Sequence, residues 1–457
     1  MPDKSNTRQL LLDAAQRGAN YRENIAARSV APAADALLAV EQFIEPLSAD
    51  GCADSDVLAM LDDIGSPATM AMASPRYFGF VIGGALPVAL ASNWLCAAWD
   101  QNVGMHEVTR ATSTLERVAM DWLLEILGLP QESAAAFVTG ATVANFTALA
   151  AARNRVFSSI GWNVEADGLI GAPPITIIVS EETHPTVFKS LGMLGFGRNR
   201  VVKAAVDGQG RIDIARFPSI SGPTIICAQA GNVNTGAFDP IAEICALAKP
   251  QGAWVHVDGA FGLWAAASPN RAHLCAGIEA ADSWATDAHK LLNVPYDCGI
   301  AFVRHAAYLK LAMSIEAEYL ITETEFRNPS DYTPELSRRA RGVDVWAVLK
   351  SLGKNGVAEL VDRSFDNATR FAAGLQKAGY EILNEVVFNQ VLVTFGDDDV
   401  NRRVIDLIQE DGTCWCGITV WQEKSAMRIS VCNWETSEED VDRSLDAIIR
   451  IANQERA

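Results

Sequence analysis

Two segments of the chain carry a possible nucleophilic amine and a possible acid in mainly apolar or small-residue surroundings. The segment 282–290, DSWATDAHK, ends in Lys290 and follows a strand-like run. Desolvation lowers the pKa of a lysine and makes its amine available as a nucleophile. The segment 254–260, WVHVDGA, carries Asp258 at the end of an apolar strand, where a carboxylate can point into a cleft. Taken alone, each has a simpler interpretation, as a surface lysine and a turn aspartate.

Two further segments could complete a cofactor site. The run 137–145, FVTGATVAN, passes from a strand through Gly140 into an alanine-rich helix. Free N–H groups and the helix dipole at that point suit a phosphate, although neither GxGxxG nor GxxxxGK[ST] is present. His184 follows the strand-like run 175–179. Taken alone, these features equally predict a capped strand–helix turn and a polar loop histidine.

Each of the four features falls at or soon after a predicted strand. Together they supply a phosphate cradle, an imidazole that can stack on a ring, a carboxylate and a nucleophilic amine. Pyridoxal 5'-phosphate (PLP) requires a Schiff-base lysine, a carboxylate on its pyridine nitrogen and a phosphate anchor. The sequence therefore predicts PLP as the cofactor.

The order of these motifs resembles the PLP-dependent group II amino acid decarboxylases, a fold-type I family that includes aromatic amino acid, glutamate and histidine decarboxylases. The resemblance covers nearly the whole chain, and the combination of HVDxA with DSxxxxxHK is highly specific. The segments that carry it are SPRYF (74–78), LE (115–116), MDWL (120–123), HVDGAFG (256–262), DSWATDAHK (282–290) and MRIS (427–430).

The resemblance implies a role for each matching residue. Lys290 would form the Schiff base, Asp258 would pair with the protonated pyridine nitrogen, and His184 would stack above the ring. Ala260 would pack below the ring. The residues around the phosphate would be Gly140, Ala141, Thr142 and His289.

Some positions depart from the family pattern. Asp287 stands where the family usually has asparagine near the phosphate. A carboxylate beside a phosphate dianion is unfavourable unless it is protonated or turned away, so we predict no phosphate contact for it. In the family a mobile loop tyrosine commonly reprotonates the intermediate, and its loss favours aldehyde formation. In the matching loop, about 322–337, Tyr332 lies a few positions from the expected place, and we predict it as the proton donor.

Asn232 occupies a strand end, in AGNVNTG, where the family often has threonines near the cofactor hydroxyl. We predict a cofactor contact for it, with hydrogen bonding inside the loop as the alternative.

The elements that must position these residues alternate between strands and helices from about 135 to 305, which predicts a mostly parallel sheet. Ligands in such sheets sit at the carboxyl ends of the strands. We predict an α/β protein with the fold-type I PLP-dependent transferase fold. Its parts would be an N-terminal helical dimerisation segment (1–70), a large PLP-binding domain (71–355) and a small C-terminal α+β domain (356–457).

Composition limits the partners and the compartment. The chain has 457 residues with 37 Lys and Arg against 56 Asp and Glu, a net charge of −19, so nucleic acid and anionic membrane surfaces are poor partners. The nine cysteines are scattered, and the pair Cys414 and Cys416 is weak support for zinc, so we predict no metal. The start has no apolar run typical of a signal peptide, so we expect a cytoplasmic protein.

The uncharged run 77–99 is long enough to span a bilayer. Glycines and a proline interrupt it, so we predict buried core or the wall of a ligand channel instead.

The resemblance implies decarboxylation of an L-amino acid to its amine, through a Schiff base on Lys290 and a quinonoid intermediate. It also implies an obligate homodimer with shared active sites. A β-hydroxy amino acid aldolase and an oxidative, aldehyde-forming decarboxylase are alternatives on the same scaffold. A catalytically silent PLP-binding homologue is a remote third.

The sequence does not choose the substrate. The segment 101–107 is more polar than in aromatic amino acid decarboxylases, whereas Phe80, Val81 and Trp94 suit an apolar side chain. Arg76 or Arg110 could bind the second carboxylate of an acidic substrate, or could form structural salt bridges.

Overall fold

A computed structural model describes residues 6–315 and 326–456 and has a seven-stranded sheet at its centre. Its spatial order is β1-β7-β6-β5-β4-β2-β3; β7 is antiparallel to both of its neighbours, whereas the pairs among β2 to β6 are parallel. The predicted α/β fold with a mostly parallel sheet is therefore confirmed. The strands are β1 (Ala134–Val138), β2 (Thr176–Ser180), β3 (Val202–Ala204), β4 (Thr224–Gln229), β5 (Trp254–Asp258), β6 (Ser283–Asp287) and β7 (Gly299–Val303).

Helices cover both faces of this sheet, which is why its strands read as continuous apolar runs rather than as alternating ones. On β1, Phe137 packs in one core cluster with Leu124, whereas its neighbour Val138 packs in another with Ala148. The helices are α1 (Thr7–Asn24), α2 (Ala34–Ala39), α3 (Asp54–Met60), α4 (Ser66–Ala68), α5 (Pro87–Trp99), α6 (Arg110–Ile126), α7 (Ala141–Ser158), α8 (Val164–Asp167), α9 (Pro185–Met193), α10 (Ile241–Ala248), α11 (Ala306–Met313), α12 (Arg341–Lys377), α13 (Asp398–Asp411) and α14 (Glu438–Arg456).

A second, antiparallel sheet lies in the C-terminal part of the chain, with the order β10-β11-β9-β8. The composition of the runs 386–395 and 427–431 predicts two of its strands, β9 and β11, whereas the edge strands β8 and β10 lie outside these runs. Its strands are β8 (Glu381–Ile382), β9 (Gln390–Thr394), β10 (Gly417–Trp421) and β11 (Lys424–Ser430).

The helix α12 joins the two sheets and is interrupted at Gly353, where φ is +61°. The proposed boundary between the large and small domains, at 355, falls two residues after this kink. Phe78, in the proposed large domain, is hydrogen-bonded to the proposed small domain. Its N–H donates to the Trp415 carbonyl, and its own carbonyl accepts the Ser430 N–H. The division into 1–70, 71–355 and 356–457 stays a prediction.

The uncharged run 77–99 does not form one continuous helix. Its first part is irregular and contains the buried residues Tyr77, Phe78 and Val81, and α5 begins only at Pro87. The outer face of α5 is exposed, in contrast to the predicted burial, with Leu95 54% exposed. Nowhere in residues 6–315 and 326–456 is there a helix both long and apolar enough to cross a membrane.

Candidate active site

A cavity of about 280 Å³ opens where β1, β4, β5 and β6 end. Parallel strands bring their carboxyl ends to one edge of the sheet, so residues distant in sequence meet there. The cavity collects the following predicted site residues: Gly140, Ala141, Thr142, His184, Asp258, Ala260, His289 and Lys290.

Asp258 is the last residue of β5 and is buried. One carboxylate oxygen accepts the Ala260 N–H at 3.1 Å, and the other accepts the Asn145 amide at 3.2 Å. Burial raises the pKa of Asp258, and the positive charge of Lys290 and the hydrogen bonds from Ala260 and Asn145 oppose that rise. Two hydrogen-bond donors thus hold the carboxylate in place. In this position it can accept a hydrogen bond from a protonated ring nitrogen.

His184 caps α9, and its Nδ1 accepts the Thr186 N–H at 3.3 Å. Because Nδ1 is an acceptor, the hydrogen of the neutral ring lies on Nε2. Burial lowers the pKa of His184 below its usual value. The ring is therefore neutral at pH 7 and can stack on a cofactor ring as an uncharged imidazole.

Lys290 follows β6, and its Nζ lies 3.1 Å from one oxygen of Asp287. The other Asp287 oxygen accepts the Ala141 N–H at 2.6 Å and lies 3.5 Å from His289 Nε2. Asp287 therefore occupies the first free amide of α7, in the cradle predicted for phosphate, and pairs with the predicted nucleophile.

His289 is held by the neighbouring loop. Its Nδ1 accepts the Cys298 N–H at 3.1 Å, and its ring stacks on Tyr296 with the centroids 4.2 Å apart. Burial lowers the pKa of His289. The neutral ring thus carries its hydrogen on Nε2, on the side of Asp287.

The residues present fit PLP. The Asp258 carboxylate, the Lys290 amine and the N-terminus of the 18-residue helix α7 all line this one cavity. A Cβ at Gly140 would lie 3.3 Å from His289, so glycine keeps this cradle open. The misfit is Asp287, whose carboxylate occupies an amide that a phosphate would use.

Two predicted residues do not line the cavity of their own chain. Tyr332 ends a 3₁₀ turn, Pro329–Tyr332, with the Arg327 guanidinium 4.1 Å above its ring. Residues 322–325 of the predicted loop lie outside the described residues. Asn232 accepts the N–H groups of Asn234 and Thr235, which is the loop bonding that the sequence left as the alternative.

The two arginines considered as clamps for a second carboxylate have other partners. Arg76 is buried and pairs with Asp440 at 3.2 Å, and it also donates to the carbonyls of Ala26 and Thr413. Arg110 is exposed and pairs with Glu107. Both form structural salt bridges, as the alternative stated.

Sequence reasoning assigned no role to Arg428 of β11, although MRIS was among the matching segments. Its Nη1 donates to the Val233 carbonyl at 3.2 Å and to the Asn234 side chain at 3.4 Å. Burial lowers the pKa of Arg428, and both of these acceptors among the described residues are neutral oxygens. Because its charge also acts on His184, and Val233 lines the cavity, this cation lies beside the site.

Comparison with known proteins gives a consistent result. Residues 55–396 match the family described as "Pyridoxal-dependent decarboxylase conserved domain". An aromatic-L-amino-acid decarboxylase of Bacillus atrophaeus is 26% identical over 396 residues, which are 80% of this chain and 79% of that protein. An L-2,4-diaminobutyrate decarboxylase of Rhizobium meliloti is 26% identical over 434 residues, which are 90% of this chain and 84% of that protein.

An acidic amino acid decarboxylase, GADL1, of Mus musculus is 29% identical over 331 residues, which are 69% of this chain but 59% of that protein's length. Among solved structures, Oryza sativa TDC with PLP and tryptamine superposes with a TM-score of 0.91 at 21% identity. That match covers 99% of this chain and 98% of the other, and it shows the shared fold.

Proposed function

The chain belongs to the pyridoxal-dependent decarboxylase family, and on that premise we propose how its own residues carry out the decarboxylation of an amino acid. The predicted cofactor, PLP, and the predicted reaction are confirmed by the family match. When bound, PLP supplies an electron sink for the pair of electrons left behind as CO₂ departs.

Our assignment of residues depends on one observation: Lys290, Asp258 and His184 converge in a single cavity at the sheet edge. Lys290 would provide the amine that joins the cofactor aldehyde. Asp258 would hold a proton on the ring nitrogen, and the neutral His184 and Ala260 would pack against the ring. The N–H groups at the start of α7 that Asp287 does not occupy would bind the phosphate.

Arg428 is proposed to bind the substrate α-carboxylate. It is a partly buried cation whose hydrogen-bond partners in the described residues are neutral oxygens, so an incoming carboxylate would complete its pairing. A charge-assisted bond from a guanidinium orients a carboxylate as well as binding it. Arg428 thus fixes which bond to the α-carbon is presented for cleavage.

The substrate is proposed to be an L-amino acid with an apolar or aromatic side chain. Phe80, Val81 and Phe261 line the cavity, and the Phe80 ring stacks on Trp415 with the centroids 5.5 Å apart. In the described residues, Arg76 and Arg110 are engaged elsewhere, so the cavity lacks the second cation that an acidic side chain would need.

We further propose a homodimer with shared active sites, located in the cytoplasm. The exposed leucines of α1 and the exposed Trp94 and Leu95 of α5 are apolar surface that a second chain would cover. All nine cysteines are free, as a reducing compartment favours. The role of Tyr332 as proton donor stays a prediction that depends on the second chain, because its own chain does not bring it to the cavity.

A product-resolved mass spectrometry screen tests the proposed function. The PLP-loaded protein is incubated with L-amino acids that have aromatic, aliphatic, acidic and basic side chains, and with β-hydroxy amino acids. We expect an amine and CO₂ from an aromatic or aliphatic substrate. An amine from an acidic substrate would overturn the proposed specificity. Glycine with an aldehyde, or an aldehyde with ammonia, would overturn decarboxylation to the amine.

Borohydride reduction tests the assignment of the nucleophile separately. In the wild-type protein, reduction should attach the cofactor to Lys290, and Lys290→Ala should abolish that label. Lys377 is an exposed lysine on α12, so Lys377→Ala is the matched control and should label normally. A label on another lysine in Lys290→Ala would show that the assignment is wrong.

A further inference from the structure

A chain of buried side chains runs from Asp258 away from the cavity, into the layer between the sheet and α7. Asn145 Nδ2 lies 3.2 Å from Asp258, and Asn145 Oδ1 lies 2.8 Å from His256 Nε2. His256 Nδ1 lies 2.9 Å from the hydroxyl of Ser283, which also accepts the Trp254 indole N–H at 2.9 Å. We call these four side chains, Asn145, His256, Ser283 and Trp254, the relay.

The relay is built by the register of the sheet. Trp254, His256 and Asp258 alternate along β5 and so share one face, and His256 pairs directly with Ser283 of β6. Asn145 reaches this face from the first turns of α7, the helix whose N-terminus lies at the phosphate end of the cavity. All four side chains are buried, so water cannot replace their hydrogen bonds.

The direction of every hydrogen bond in the relay follows from Trp254, the one member whose role as donor is fixed. An indole N–H can only donate, so the Ser283 oxygen accepts from Trp254 and its own hydrogen is free to go to His256 Nδ1. His256 Nε2 then carries the ring hydrogen and donates to Asn145 Oδ1. This turns the Asn145 NH₂ group toward Asp258, where it donates to the carboxylate.

The opposite direction fits only a protonated Asp258. If the Asn145 amide were reversed, its oxygen would face Asp258, and two acceptors would oppose each other unless the carboxyl carried a hydrogen. The Ser283 oxygen would then accept from both His256 and Trp254, and its own hydrogen would have no acceptor in the relay. Full burial lowers the pKa of His256 to about 3, so an imidazolium that donates on both sides is not formed near neutral pH.

We propose that Asn145, His256 and Ser283 are positioning residues that keep Asp258 ionised and thereby keep a proton on the ring nitrogen of bound PLP. This inference rests on the proposed role of Asp258. Burial favours the neutral carboxylic acid. The relay opposes this, because it directs the Asn145 N–H at Asp258, and a hydrogen-bond donor stabilises the ionised carboxylate more than the neutral acid. Each relay residue acts on the cofactor only through Asp258.

The test is the ¹⁵N resonance of the pyridine nitrogen in protein loaded with ¹⁵N-labelled PLP at neutral pH. In the wild type we expect the position of a protonated pyridine. His256→Phe removes both ring nitrogens, so the resonance should move toward the neutral pyridine position. We expect kcat/KM to fall at least about tenfold, which corresponds to one pKa unit at the ring nitrogen. His256→Gln restores an N–H donor near the Nε2 position and should restore the wild-type resonance.

Thr147→Val is the matched control, because Thr147 is buried on the same helix and its hydroxyl finds no hydrogen-bond partner among the described residues. It should leave the resonance unchanged. An unchanged resonance in His256→Phe would overturn the relay, provided that Asp258→Asn does shift it. If Asp258→Asn also left the resonance unchanged, the proposed role of Asp258 would be wrong instead. Should His256→Phe not fold, Ser283→Ala removes only the hydroxyl and must shift the resonance in the same direction.

Discussion

At the scale of single residues, Asp287 sets the electrostatics of the phosphate end of the cavity. Its carboxylate accepts the Ala141 N–H at 2.6 Å and lies 3.1 Å from Lys290 Nζ. A phosphate dianion seeks the same amide, and Lys290 must leave this ion pair to act as a nucleophile. Asp287 is therefore an internal anion that competes with the cofactor for both groups.

Asp287→Asn should tighten the binding of PLP. Removing the negative charge ends the repulsion of the phosphate, and unit charges about 4 Å apart interact by about 4 kcal/mol at an effective dielectric constant of about 20. Solvent in the cavity reduces this figure, so we expect the dissociation constant to fall at least about tenfold. Titration of the apoprotein with PLP, followed by tryptophan fluorescence, measures it.

Asp282→Asn provides the control at the other end of the same motif. Asp282 also accepts a backbone N–H, that of Val255 at 2.8 Å, but it does not line the cavity. Its substitution should leave PLP affinity unchanged. If Asp287→Asn bound PLP more weakly than the wild type, the carboxylate would be a contact that supports the cofactor, contrary to our interpretation.

His256 also makes a residue-scale contribution to acid stability. In the folded protein the pKa of His256 is about 3, below the ordinary value of 6.5. The stabilisation that the neutral ring contributes to the folded state is therefore present above pH 6.5 and is lost as the pH falls toward 3. Relative to His256→Gln, which cannot titrate, the wild type should lose about 2 kcal/mol of unfolding free energy between pH 6.5 and pH 5. Urea unfolding of both proteins at the two pH values measures the difference, and a constant difference would contradict the buried neutral state.

At the scale of elements, the antiparallel strand β7 fixes the start of α7. The strand lies between β1 and β6, and Gly299 pairs with Val138 just before the turn into α7. A Cβ at Gly299 would lie 2.4 Å from the backbone of Gly140. The phosphate cradle thus depends on two backbones that approach each other without side chains.

Gly299→Ala should push the start of α7 away from β7. We expect overpacking to destabilise the protein by about 1–3 kcal/mol and to weaken PLP binding, because the cradle amides move. Thermal unfolding and PLP titration measure the two effects. Gly192→Ala is the control, since Gly192 lies exposed on α9 and an added Cβ would meet open space. Unchanged PLP affinity in Gly299→Ala would show that the cradle tolerates this displacement.

At the scale of the whole molecule, α1 and α5 pack together and present apolar side chains outward. A Cβ at Gly18 would lie 3.2 Å from the Trp94 ring, so the two helices form one surface. Leu11 is 62% exposed and Leu95 is 54% exposed on it. Phe80, at the cavity, is also 61% exposed, which fits a site completed by a second chain.

Leu95→Arg should separate the proposed homodimer. A charge in the middle of an apolar interface is costly to desolvate, so the mass from light scattering should fall from that of two chains to that of one. Activity should fall with it, because shared active sites would be incomplete. Ile170→Arg, at a 97% exposed position in the loop between α8 and β2, should stay dimeric and active. An active single chain in Leu95→Arg would contradict shared active sites.

The sequence by itself determined the parallel sheet, the cofactor and most of the cavity. Lys290, His184 and Gly140 each follow a strand of recognisable composition, and Asp258 ends one. Parallel strands end at one edge of the sheet whatever their exact packing. The hairpin strand β10 escaped prediction, because its turn uses Gln422 and Glu423 at positive φ rather than typical turn residues.

Only the tertiary structure decided which donors and charges meet around those residues. Asn145 lies 113 residues from Asp258, and Arg428 lies 195 residues from Val233, so nothing local in the sequence links them. The same holds for Asn232, which accepts from Asn234 within its loop but donates to Glu182, 50 residues away, and for Tyr332, which lies beneath Arg327. Hydrogen bonds and ion pairs act over about 3 Å, so register and helix packing must be fixed before they are known.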